Sequence, residues 1–148
     1  MANETLLGIL NETLREESER LKRSDAELLR LRQELATLSD ILQRAKDEEA
    51  RANFEYEGVF TKYRELLAES NRLPAKSYPI SEKISQLSAE QVRLHDERLA
   101  AKESVAKYQQ QVRAAELALA LEEANYKSMQ SNCDELSWQI KKLGGVSS

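Results

Sequence analysis

The chain has 148 residues, 32% of them charged and 41% hydrophobic, with a net charge of −4 and a sequence pI of about 5.3. That balance argues against general affinity for nucleic acid or for anionic lipid, both of which need a basic surface. Aromatic residues make up 5%, and there are 4 Gly and 2 Pro, so the sequence is built from helix formers and suits a long, thin core. No apolar run approaches the roughly 20 residues that span a bilayer, and the N-terminus shows no cationic region leading into an apolar stretch. The expectation is a protein that does not insert into membranes. The lone Cys133 has no intrachain partner, which fits a reducing, cytoplasmic location.

The first predicted element is a helix over about 3–72, with Asn3 as a good N-cap. Numbering heptads so that position a falls on multiples of seven, a reads Leu7, Leu14, Leu21, Leu28, Leu35, Leu42, Glu49, Tyr56, Tyr63 and Ser70. Position d reads Leu10, Glu17, Ser24, Leu31, Leu38, Ala45, Ala52, Val59, Leu66 and Leu73. A stripe sustained at this period is the signature of a coiled coil. It meets a break at about 73–79, where Pro74 and Pro79 each remove a backbone donor and push the preceding residue out of helix. A second helix is predicted over about 80–143. Its a positions run Ile84, Gln91, Arg98, Val105, Val112, Leu119, Tyr126, Cys133 and Ile140, and its d positions run from Ile80 through Leu94, Ala101, Ala115, Glu122 and Met129 to Leu143. Gly144-Gly145 ends it and leaves a short tail over 144–148. Each helix, roughly 65–70 residues, is about 100 Å long at the rise of an α-helix.

The fold class is therefore all-α, one coiled-coil unit over 1–148. Equal arms about a short break suggest an antiparallel hairpin. The alternative is a kinked, continuous parallel coiled coil, which explains directly why the heptad phase is unchanged across the break. The polar seam residues favour the hairpin. In a parallel homodimer Glu17, Glu49, Arg98 and Glu122 each face their own copy, and like charges there are costly. Folding about residue 75 instead sets Leu7 by Leu143, Leu14 by Leu136, Leu35 by Ala115 and Tyr126 by Ser24. It also brings Glu49 and Arg98 into adjacent layers, where an ion pair is expected.

A two-stranded coil uses only its a/d seam, yet several outer positions are apolar. Phe54, Leu117 and Trp138 fall at f; Leu29, Val92 and Leu99 at b; Leu121 at c; Phe60 and Leu67 at e. The segment 114–121 is apolar almost all round, as in a helix surrounded by neighbours. Leu29, Phe54, Phe60, Val92, Leu99, Leu117, Leu121 and Trp138 are thus the candidate partner-binding residues. The plain alternative is scattered surface hydrophobes.

Chemistry is not legible. There is no glycine-rich phosphate loop and no metal-spaced Cys/His set. His95 sits at an e position amid charge, and Cys133 reads as a small seam hydrophobe. The adjacent pairs Glu16–Glu17, Glu48–Glu49 and Glu122–Glu123 diverge by about 100° on a helix and do not converge as catalytic carboxylates do. No catalytic, cofactor or metal residue is assigned, and the expectation is a non-enzyme. The leading functional reading is a structural subunit of a larger, heteromeric assembly of cytoskeletal, axonemal, kinetochore or tethering type. Its partners would be coiled-coil or helical proteins, with self-association also allowed. The alternative is a hairpin stalk or adaptor acting on an ATPase or secretion machine. A prefoldin-type chaperone ranks low, because the break holds no strand-forming segment.

Overall fold

The heptad stripe has one physical consequence: a helix carrying it must cover that stripe. In the computed structural model, which describes residues 2–72 and 78–144, two helices do this for each other. Helix α1 spans Ala2–Arg72 and helix α2 spans Tyr78–Gly144, with no strand among the described residues. They pack as an antiparallel helical hairpin. Asn3, expected as the cap, lies one residue inside the start of α1. Tyr78-Pro79 opens α2, and the missing N–H of Pro79 costs nothing in a first turn. Of the break expected over about 73–79, residues 73–77 lie outside the described residues, as do 145–148, while Tyr78 and Pro79 already belong to α2.

The packing falls into two units, a terminal one of Met1–Thr37 with Arg113–Ser148 and a central one of Leu38–Val112. In the terminal unit the buried residues are Ser24, Leu28, Leu31, Ala115 and Cys133; in the central unit they are Ala52, Leu94, Ala101, Val105 and Val112. All ten stand at a or d. Every other described a or d residue is half-buried except Leu143, at the very end of α2. Among the described residues no side chain is fully buried, as expected where one helix has a single neighbour to cover it.

The outer surface of the helices is held by charge pairs at helical spacing. Arg15 bridges Glu12 and Glu19, Arg30 bridges Glu27 and Glu34, and Arg93 bridges Glu90 and Glu97. Arg51 pairs with Glu48 in the same way. Such pairs favour the helix only slightly, because both partners are exposed and screened by solvent. Lys141 and Lys142 in the last turn of α2 complement its dipole.

Candidate interaction surface

Position on the heptad decides which way each outer residue faces. Positions e and b flank one side of the seam, g and c the other, and f lies at the back. In an antiparallel pair like sides meet, and the terminal unit shows it: Arg32 and Glu123, both at e, approach to 4.0 Å across the helices. At the end of the same unit Leu7 packs beside Gly144, whose Cβ, if present, would lie 3.4 Å from the leucine. The expected neighbour of Leu7, Leu143, directly precedes that glycine.

In the terminal unit Leu29, Leu117, Leu121 and Trp138 are all exposed, Leu121 at 64%. Leu29 and Leu121 are level in register, but their b and c positions put them on opposite sides of the seam. Trp138 carries the Lys142 ammonium 4.8 Å above its ring, a local cation–π contact that leaves most of the indole open.

A groove between the helices on the g/c side was not foreseen. Its α1 wall carries Arg20, Arg23, Glu27 and Arg30; its α2 wall carries Ala118, Leu121, Asn125 and Ser128. It continues to Thr13, Asn132 and Leu136. On the charged wall Arg20 is paired with Glu17, and Arg30 with Glu27. The bond from Arg30 holds the Glu27 carboxyl below its ordinary value, and the carboxylate raises the Arg30 guanidinium in turn. The legible signal was the spacing of Ala114, Ala118, Leu121, Asn125 and Ser128, small or uncharged at successive g and c positions.

In the central unit Phe54, at 78% exposure, has its ring in the open at the back of α1. Phe60, Val92 and Leu99 share the e/b side. Phe60 is half-buried, because its ring stacks on Tyr56 at 6.0 Å and Arg64 sits over it; it is partly used within the chain. Leu99 is exposed beside an open hollow shared with Glu49, Asn53, Arg98 and Lys102.

That hollow corrects one expectation. Glu49 and Arg98 line it together but form no ion pair. The Arg98 guanidinium instead lies 4.0 Å from the Tyr56 ring centre and donates to His95 Nδ1 at 3.0 Å. His95 also contacts Tyr56, at 5.7 Å between ring centres, and Gln91 donates to the Tyr56 hydroxyl at 3.4 Å. The ring and the imidazole both sit on the e side that Arg98 faces, and the electron-rich face of a tyrosine holds a guanidinium well when the site is partly dry.

Among the described residues no group of three or more His, Cys, Asp or Glu is placed to hold a metal ion, and no helix is long and apolar enough to cross a membrane. Cys133 is buried in the seam as a free thiol. What the two units present is therefore seam on the inside and, on the outside, open apolar side chains of a size that other helices cover. No family model, curated protein sequence or solved structure matches the chain.

Proposed function

We propose that this chain is a non-enzymatic structural subunit that holds other helical proteins in a larger assembly. One observation supports the reading above the rest. The hairpin already satisfies its own seam, yet Phe54, Val92, Leu117, Leu121 and Trp138 stay exposed at outer heptad positions. Side chains of that size contribute little to an isolated two-helix coil, whereas Trp and other large residues dominate protein interfaces. The grooves are open and lined by paired charges and small side chains, a shape that accepts a helix more readily than a small substrate. The partners this reading implies are coiled-coil or helical proteins of a cytoplasmic, cytoskeletal or tethering assembly, with a second copy among them.

The test uses Trp138→Ala and Leu117→Glu. Both leave the circular dichroism of the isolated chain almost unchanged, and both weaken co-purification with the native partners. For the tryptophan, ~2 kcal/mol corresponds to roughly a thirtyfold loss of affinity. Unfolding of the isolated chain by both variants would assign these residues to its own core, and unaltered co-purification would remove the outer face as the binding surface. Recovery of a rotary ATPase with the wild-type chain would instead make it a stalk or adaptor.

A further inference from the structure

Ser24 is the one buried polar side chain in the seam of the described residues, 4% exposed, at a d position where neighbouring layers carry Leu21, Leu28 and Leu31. Its hydroxyl donates to Glu122 Oε1 across the helices at 2.6 Å. Glu122 is half-buried and also stands at d, and no cation pairs with it among the described residues. Two leucines here would cover more apolar surface than a serine and a glutamate do. A polar pair in such a place costs stability and contributes specificity, as a single polar seam residue does in other coiled coils.

We propose that the Ser24–Glu122 hydrogen bond is a register lock, which fixes both the orientation and the heptad alignment in which α1 pairs with α2. The apolar stripe alone cannot do this, because sliding one helix by seven residues restores an a/d seam. The polar pair distinguishes the alternatives. Sliding α2 one heptad in one direction sets Glu122 against Glu17, a like charge, and Ser24 against Ala115. Sliding it in the other sets Glu122 against Leu31 and Ser24 against Met129. Parallel pairing of identical helices sets Ser24 on Ser24 and Glu122 on Glu122. Only the observed alignment gives the buried hydroxyl an acceptor and the carboxylate a donor. The lock also holds the groove wall of Ala118 and Leu121 opposite Glu27 and Arg30; a one-heptad slip would move that wall by about 10 Å. The inference stands apart from the proposed function, since it concerns pairing within the chain.

Three cysteine pairs read the register in the intact chain. Leu10→Cys with Ile140→Cys, in a Cys133→Ser background, reports the observed alignment. Leu10→Cys with the natural Cys133 reports a slip one way, and Leu14→Cys with Leu143→Cys, again with Cys133→Ser, a slip the other way. With Ser24 and Glu122 in place, the first pair crosslinks within one chain and the displaced pairs stay at background. In Ser24→Leu/Glu122→Leu, displaced crosslinks rise at least about tenfold while thermal stability is undiminished. Glu122→Gln, whose amide oxygen still accepts from Ser24, keeps the single register. Ser24→Ala/Glu122→Ala carries the same expectation if the leucine pair disrupts helicity. Displaced crosslinks in the unmodified seam, or a single register retained in the variants lacking both polar groups, would overturn the lock and assign the register to other layers or to the connection.

Discussion

Arg98 offers a quantitative test of how this seam handles charge. Its guanidinium lies 4.0 Å from the Tyr56 ring centre and shares a hollow with Glu49 without pairing to it. The site is half-buried, so the cation–π term falls between the exposed and desolvated limits, at about 1–1.5 kcal/mol. Urea denaturation followed by circular dichroism at pH 7 on Tyr56→Leu, Arg98→Met and the double variant isolates that coupling, because methionine keeps the length of the arginine stem and drops its charge. The expected coupling is ~1 kcal/mol. The parallel cycle with Glu49→Gln and Arg98→Met is expected to be additive within about 0.5 kcal/mol, as for groups with no shared contact. A Glu49–Arg98 coupling equal to or larger than the Tyr56–Arg98 coupling would refute the reasoning. The seam would then be held there by an ion pair, and the aromatic contact would be incidental.

Two further outcomes follow from burial and from the surface pairs. Leu28 is 3% exposed and its neighbour Leu29 58%; Leu28→Ala is expected to cost ~2–4 kcal/mol and Leu29→Ala to stay within about 0.5 kcal/mol of wild type in the isolated chain, both read by denaturant midpoint. Arg15 and Arg30, each hydrogen-bonded to a glutamate three residues earlier, hold the Glu12 and Glu27 carboxyls below their ordinary value of 4.5. Because the folded-state value is the lower one, this contribution is fully present above the ordinary carboxylate value and is lost as pH falls from there through the lowered folded-state value. Helicity followed by acid titration will show the loss, and it will shrink in Glu12→Gln/Glu27→Gln and at high salt, since both pairs are exposed.

How much of this was legible in the sequence depends on whether a feature repeats. The a/d stripe is a one-dimensional signal, and the structure buries or half-buries every described member of it except Leu143. Outer residues followed by elimination, which is why Phe54, Val92, Leu117, Leu121 and Trp138 were found, and why Phe60, whose e position borders the seam, was only partly exposed. Specific partners were not legible, because reach decides them. Ser24, expected level with Tyr126, forms its hydrogen bond one turn away from that tyrosine, with Glu122, whose side chain can bring a carboxylate to a short hydroxyl. Arg98, on a longer stem, passes over Glu49 for a ring and an imidazole. The side of the seam was also hidden, because it requires the heptad position and the antiparallel orientation together. Once both are known, Leu29 and Leu121 fall level but on opposite sides, too far round the terminal unit for one helix to cover both. Covering both leucines would therefore take two neighbours, one on each side of the seam.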